Sequence, residues 1–127
     1  MNQIKQFTVA EANSLLPQIK PLMAQLLEKR AKIVVQQRQV APLLADLHLD
    51  VGGPELSALT QEFALIERLI ERIQEYGCLV RDINVGLLDF PAQFEEQMVF
   101  LCWRYGEDEI AYYHDVHEGF NGRSPLH

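Results

Sequence analysis

Residues 70–83, IERIQEYGCLVRDI, contain the point at which the hydrophobic pattern of the chain changes its period. Before Gly77, apolar side chains recur at spacings of three and four, as in a helix that buries one face. After Gly77 the pattern is closer to the two-residue period of a β-strand. Glycine ends helices readily because it adopts a positive φ without steric cost. We therefore predict an α+β fold in which helices precede Gly77 and a small antiparallel sheet follows it.

Residues 54–76 are predicted to form one arm of a long antiparallel helical hairpin. The apolar residues of this arm keep the spacing of a coiled coil, at Leu56, Leu59, Phe63, Ile66, Ile70 and Ile73. The other arm spans residues 18–47, where apolar residues recur every seven positions. Residues 50–53 (DVGG) break the helix between them, and so short a connection makes the arms antiparallel. Pro42 is expected to kink the first arm or to split it near Val40.

A short N-terminal helix is predicted ahead of the hairpin. Thr8 and Glu11 have the spacing of a capping box, in which a hydroxyl and a carboxylate satisfy two free amides at a helix start. Proline lacks an amide donor and disfavours helical backbone at the residue before it. Pro17 and Pro21 are therefore expected to end this helix near Leu16.

Short strands are predicted after Gly77. They cover Cys78–Ile83, Leu87–Phe90, Gln97–Trp103 and Glu109–His114, and Pro91 is expected to end the second. Residues 97–103 are apolar on both faces, which is typical of a central strand. We expect a single domain with a helical part over 8–76, an antiparallel sheet over 78–114 and a C-terminal loop over 115–127.

The composition is that of an ordinary globular domain. Hydrophobic residues make up 48% of the 127 residues, and 18 acidic against 11 basic residues give a net charge of −7. Nucleic-acid binding is disfavoured because the chain has no basic excess to oppose phosphate. No apolar stretch approaches the roughly 18 residues of a membrane span, and the first residues do not form a secretory signal. A cytoplasmic location without membrane contact is expected.

The two cysteines, Cys78 and Cys102, do not have the spacing of a paired metal or redox motif. In a cytosolic protein they are expected to be buried free thiols. For Cys102 a core position is favoured over a role as a nucleophile, because buried thiols are common and unreactive.

A homodimer through the long helices is predicted from the length of the hairpin. About 30 helical residues would extend about 45 Å, whereas a compact domain of this size has a diameter of about 36 Å. The hairpin would overhang the sheet and leave flanking apolar residues uncovered, namely Leu27, Val34, Leu65 and Leu69. A four-helix arrangement with a second copy would cover them. The alternative is that these side chains pack under the sheet.

Most side chains that could take part in catalysis or ligand binding lie after residue 80. The imidazoles of His114 and His117 and the carboxylate of Glu118 could bind a divalent metal ion, with a further oxygen donor from Asp82 or Asp89 on a neighbouring strand. The two histidines are three residues apart, which differs from the four-residue spacing of the helical metalloprotease motif. Solvated surface histidines are the alternative interpretation.

Several motifs are spread over the chain, including FT at 7–8, LLP at 15–17, GLLDFP at 86–91, LCWR at 101–104 and GFNGRSPL at 119–126. Together they resemble a family of small prokaryotic proteins known as domain of unknown function 2203. The resemblance implies no activity or cofactor. It implies that a shared site would include Asp82, Asp89, Trp103, Arg104, His114, Gly122 and Arg123. His117 lies at a variable position of that family, which favours His114 with Asp89 as metal ligands.

Two functions from different classes remain open. The preferred one is a dimeric cytosolic binding or interaction module with a polar pocket at the sheet and C-terminal loop. Arg104 and Arg123 could bind an anionic ligand there, or they could pair with neighbouring acids. The alternative is a metal-dependent hydrolase in which His114 and Asp89 bind the metal and one of these arginines stabilises an oxyanion.

Overall fold

The computed structural model describes residues 5–45 and 54–126, with side chains over 5–38 and 57–126. Its elements are α1 (Val9–Ala45), α2 (Pro54–Gln74), β1 (Leu79–Asp82), β2 (Leu87–Phe94), β3 (Gln97–Arg104), β4 (Tyr112–Asp115), a 3₁₀-helix (Phe120–Gly122) and β5 (Ser124–Pro125). Helices precede Gly77 and strands follow it, which confirms the predicted α+β fold.

The capping box at the start of α1 is confirmed. The amide of Thr8 donates to Oε1 of Glu11 at 2.9 Å, and the amide of Glu11 donates to Oγ1 of Thr8 at 3.1 Å. These bonds stabilise the ionised carboxylate and so lower the pKa of Glu11. The first helix therefore begins where the sequence predicts.

α1 runs unbroken to Ala45, so the predicted helix end near Leu16 and the predicted split near Val40 are both wrong. Pro17 and Pro21 are four residues apart and exposed, on a side of α1 that water can hydrate. The large apolar side chains over the same turns are buried, namely Leu16, Ile19, Leu22, Met23 and Leu26. Burying each is worth about 1.5–3 kcal/mol. Together they outweigh the roughly 3 kcal/mol that a proline costs inside a helix.

α1 and α2 pack against each other through two apolar clusters. The cluster nearer the sheet includes Met23, Leu26, Leu69 and Ile73, and the outer cluster includes Ile33, Leu59 and Ile66. Residue numbers rise along α1 as they fall along α2, so the helices are antiparallel. α2 ends at Gln74, just before Gly77 with its φ of +105°. The predicted break over 50–53 lies outside the described residues.

The five strands form an antiparallel sheet in the order β1-β2-β3-β4-β5, with β3 at its centre as predicted. β2 continues through Pro91 to Phe94, so the predicted strand end at Pro91 is wrong. The amide of Phe7 donates to the carbonyl of Pro91 at 2.7 Å. The backbone polar groups of Pro91 thus point away from β3, and its missing amide removes no bond between β2 and β3.

The C-terminal segment is more ordered than the predicted loop over 115–127. It contains the 3₁₀-helix and β5, which pairs with β4, and the amide of Leu126 donates to the carbonyl of Ala111 at 2.9 Å. β4 begins at Tyr112 instead of Glu109. Residues 116–126, which we call the C-terminal tail, therefore extend the sheet by one short strand.

The sheet has one apolar face and one mixed face. Its apolar face packs on the helices through Leu88, Phe90, Ala92, Val99, Leu101 and Trp103. The opposite face carries Arg81, Asp89, Phe100, Cys102, Tyr112 and His114, as the strand register and the contacts described below require. Polar side chains are thus gathered on the face that the helices leave free.

The four flanking apolar residues of the hairpin differ in burial. Leu69 is buried in the core and Leu27 packs against it, so for these two the predicted exposure is wrong. Leu65 is exposed and Val34 is half-buried. The hairpin overhang is therefore smaller than its length alone indicates, because the sheet end of α2 also packs into the core.

Two further expectations concern the cysteines and the membrane. Both Cys78 and Cys102 are free and buried, as predicted. Within residues 5–45 and 54–126, neither helix combines the length and the apolar character that crossing a bilayer requires.

Candidate functional site

Asp89, Cys102 and His114 meet on the mixed face of the sheet, each from a different strand. Asp89 on β2 lies opposite Cys102 on β3, and His114 on β4 lies opposite Phe100, two residues away along β3. One potential ligand atom from each of the three side chains lies within 4.8 Å of the others, and all three residues are buried. We call this cluster the Asp-Cys-His triad.

Both ring nitrogens of His114 have an oxygen partner. Nδ1 lies 2.8 Å from the carbonyl oxygen of Asp115, and Nε2 lies 2.9 Å from Oδ1 of Asp89. Because a carbonyl oxygen only accepts, the first contact requires a proton on Nδ1. In the neutral imidazole the lone pair is then on Nε2 and directed at the triad. Nε2 thus faces the carboxyl group of Asp89 at hydrogen-bond distance.

Arg81 on β1 holds the second oxygen of Asp89. Its Nε donates to Oδ2 at 2.9 Å, and its guanidinium carbon lies 4.9 Å from the ring centroid of Phe100. The side chain of Arg81 is 43% exposed, whereas that of Asp89 is 3% exposed. Asp89 is therefore oriented from two sides, by Arg81 and by His114.

Cys102 is a protonated thiol at neutral pH. Burial, and then the negative charge of Asp89, raise the pKa of Cys102 to about 12, although the guanidinium of Arg123 opposes this. His114 offers the thiol no base, because its Nδ1 and Nε2 are engaged by Asp115 and Asp89. A cysteine–histidine nucleophile of the protease type is thus excluded by the geometry, and a bound cation is the agent that could displace the thiol proton.

A cavity of about 390 Å³ lies directly over the triad. Arg81, Asp89 and His114 line it on the sheet side, and His117, Glu118 and Phe120 line it from the C-terminal tail. A second cavity of about 730 Å³ reaches His114 and Glu118 from the end of the β2–β3 hairpin. We refer to the first as the triad cavity. Two of the three triad residues, Asp89 and His114, therefore line this cavity.

The predicted site residues do not all meet. Asp82 accepts the amide of Asn84 at 2.8 Å in the turn after β1. Trp103 belongs to the core on the helix side of the sheet, where its Nε1 donates to the carbonyl of Glu107 at 3.0 Å. His117 is exposed and lines the triad cavity, outside the Asp-Cys-His triad itself. The predicted metal ligands Asp89 and His114 are the pair that the fold brings together.

Arg123 forms the ion pair that the sequence left as an alternative. Its Nη2 donates to Oε1 and Oε2 of Glu107 at 3.0 and 2.7 Å. Its guanidinium carbon lies 4.0 Å from the ring centroid of Tyr112 and 4.6 Å from that of Phe120. Arg104 is exposed and lies 5.7 Å from the same Phe120 ring. Both arginines therefore contact Phe120 of the C-terminal tail. Neither lines the triad cavity, whereas Arg81 does.

Sequence reasoning missed Arg81 and assigned Cys102 to the core alone. Leu79 pairs with Asp89, so these two residues share a face of the sheet. Arg81 is two residues further along β1 and therefore faces the same side, which is the signal that could have indicated it. For Cys102 the predicted strand indicates only its face, which it shares with Phe100, and not its neighbour Asp89 on β2.

Comparison with known proteins gives one result of substance. No curated protein and no solved structure matches the chain. A family model described as an uncharacterized conserved protein, DUF2203, matches residues 5–126. That range includes Asp89, Cys102, His114 and the whole C-terminal tail. The chain therefore belongs to the DUF2203 family.

Proposed function

We propose that this protein binds a divalent transition-metal ion, preferably Zn²⁺, through Asp89, Cys102 and His114. The observation that carries the proposal is the convergence of a carboxylate oxygen, a thiol sulfur and an imidazole nitrogen within 4.8 Å at a buried position. Sulfur, nitrogen and oxygen donors in one cluster suit zinc and its neighbours better than magnesium or calcium. The sequence connects a metal at His114 and Asp89 with the hydrolase alternative and not with the binding module, and we propose metal binding here without a reaction.

The surroundings of the three donors support this assignment. Metal-binding histidines usually donate their other ring nitrogen to a carbonyl or carboxylate, as Nδ1 of His114 does to Asp115. Metal-binding carboxylates are usually hydrogen-bonded in turn, as Asp89 is by Arg81. Atoms bound to one tetrahedral zinc ion lie roughly 3.3–3.8 Å apart. The 2.9 Å contact between His114 and Asp89 would then open by a few tenths of an ångström.

The charge count also supports a dication. An ionised Asp89 and a Cys102 thiolate together carry two negative charges, which a divalent ion neutralises, while His114 binds as neutral imidazole. Binding would release the thiol proton of Cys102. Affinity should therefore rise with pH.

Metal-assisted hydrolysis is the second candidate function. The triad cavity favours it, because a metal held by three protein ligands keeps a position for water or substrate. Arg81 is the arginine that lines this cavity and could stabilise a developing oxyanion there.

Metal analysis of the protein prepared without a histidine tag tests the proposal. We expect about one equivalent of zinc after loading and desalting, and its loss in Cys102→Ala and His114→Ala. Cys78→Ala is the matched control, since Cys78 is also a buried free thiol but lies outside the triad. His117→Ala should retain the metal. Retention in Cys102→Ala together with loss in His117→Ala would overturn the triad as the site.

We also propose that two copies associate through the helical hairpin in the cytoplasm. Val35, Phe63 and Leu65 support association, because their side chains are 53%, 44% and 37% exposed on the two helices. The free thiols of Cys78 and Cys102 support a reducing compartment. Light scattering after gel filtration should give twice the chain mass, and Phe63→Glu should give the monomer mass. A wild-type monomer at about 100 μM would refute the dimer.

A further inference from the structure

We infer that the triad cavity binds a small organic monocarboxylate, with its charged end at Arg81 and its apolar body against the C-terminal tail. This inference rests on the proposed function only in that a bound metal would offer one carboxylate oxygen a second partner. The recognition by Arg81 does not require the metal.

Arg81 is prepared for a bidentate ligand. Its Nε is committed to Asp89 at 2.9 Å and its guanidinium lies 4.9 Å from the Phe100 ring centroid, so the group is fixed in orientation. Within residues 5–45 and 54–126 this guanidinium makes no further hydrogen bond, and the side chain is 43% exposed at the cavity. A planar guanidinium with free N–H donors matches the two oxygens of a carboxylate.

Arg81 supplies a permanent positive charge to the sheet side of the cavity. It is the arginine among the residues that line the cavity, and its side chain is exposed there. Because a guanidinium stays protonated at any physiological pH, it attracts an anionic ligand to this end of the cavity.

The C-terminal tail selects among anions. Glu118 is the acidic residue that the tail contributes to the cavity, and its carboxylate packs against Gly122, where an added Cβ would lie 2.6 Å from Oε2. This carboxylate disfavours a dianion such as phosphate more than a monoanion. Leu87, Val116 and Phe120 supply apolar surface to the same cavity. A volume of about 390 Å³ suits a ligand with one charged group and a small apolar body.

Benzoate is the probe, with its neutral isostere benzamide as the matched ligand and inorganic phosphate as the dianion. Binding is measured by calorimetry and by amide chemical shifts, on metal-free and on zinc-loaded full-length protein. The variants are Arg81→Gln and, as a matched control, Arg104→Gln, since Arg104 lies against the tail outside the cavity. The zinc content of every sample is determined in parallel.

We expect benzoate to bind the metal-free protein at least about tenfold more tightly than benzamide or phosphate, because benzamide loses the charge-assisted contact with Arg81 and Glu118 repels the second charge of phosphate. Arg81→Gln should remove that preference and Arg104→Gln should keep it. Shift changes should centre on Arg81, Val116 and Phe120. Equal affinity for benzoate and benzamide in the wild type would overturn the inference, and so would tighter binding of phosphate. The benzoate preference of the metal-free protein is independent of zinc, so a protein that binds benzoate but no zinc would refute only the proposed function.

Discussion

Nε2 of His114 lies 2.9 Å from Oδ1 of Asp89, with side chains that are only 4% and 3% exposed. A buried carboxylate is tolerated only where charges or hydrogen bonds compensate it. Asp89 has both, since Arg81 binds its other oxygen at 2.9 Å. The same contacts that make the residue acceptable inside the domain also prepare it to bind a cation.

Removing the Asp89 carboxyl should destabilise the fold strongly. Asp89→Ala leaves His114 without a partner at Nε2 and is expected to lower the free energy of unfolding by about 3–5 kcal/mol. Asp89→Asn should cost only about 1–2 kcal/mol, because an amide can donate to a neutral His114 and accept from Arg81. Urea unfolding measures both. Asp82→Ala, which removes a turn carboxylate, is the control and should cost about 1 kcal/mol or less. Equal costs for Asp82→Ala and Asp89→Ala would contradict this account of the buried pair.

Alkaline pH should destabilise the protein through its cysteines. Burial raises the pKa of Cys78 from its ordinary value of 9.0 to about 12. Because the unfolded thiol ionises first, this contribution is fully present below pH 9 and is lost as the pH rises from about 9 to about 12. Unfolding titrations over this range should show a steeper fall for the wild type than for Cys78→Ala. The same slope in both proteins would show that the buried thiol is not the cause.

Breaking the Arg123–Glu107 pair should loosen the C-terminal tail. The side chain of Arg123 is 9% exposed, so Glu107→Gln leaves a buried cation with weaker acceptors and should cost about 1–3 kcal/mol. Hydrogen exchange at the amide of Leu126, which bonds to Ala111, should accelerate more than exchange in β3. Glu109→Gln, at an exposed position, is the control and should leave that amide protected. An unchanged Leu126 amide in Glu107→Gln would argue against this role of the ion pair.

Pro17→Ala should stabilise the protein. Pro17 is exposed inside α1, and alanine restores an amide donor to the helix without changing the buried face. We expect a gain of about 1–3 kcal/mol in the free energy of unfolding, below the full helix-interior cost because the native backbone is already relaxed around the proline. Pro125→Ala in β5 is the control and should change stability by about 0.5 kcal/mol or less. A loss of stability in Pro17→Ala would mean that the proline ring contributes contacts of its own.

The elements that were predicted correctly are those that short-range chemistry determines. The Thr8–Glu11 capping box involves only four consecutive residues, and Gly77 ends α2 through its own backbone freedom. The predictions at Pro17 and Pro91 are wrong because the effect of a proline depends on distant partners. Pro17 is tolerated through burial of the opposite helix face, and Pro91 through the amide of Phe7, which lies 84 positions away in sequence.

The candidate site could be predicted from the sequence only in part. Asp89 and His114 stand out in the sequence as ionisable residues within apolar strands. Cys102 does not, because a thiol in the core and a thiol beside a carboxylate have the same sequence context. Its pairing with Asp89 depends on the register of β2 and β3, which becomes known only when the strands are placed. Arg81 needed the pairing of β1 with β2 as well.

Every side chain of the Asp-Cys-His triad and of its cavity comes from residues 81–120, and the long helices contribute only the support behind the sheet. Chemistry and scaffold are thus encoded by separate stretches of the gene product. The outer turns of the two helices could be shortened, lengthened or exchanged for those of another helical pair while the ligand set is preserved. In such chimaeras the two helices would link this site to a chosen fusion partner.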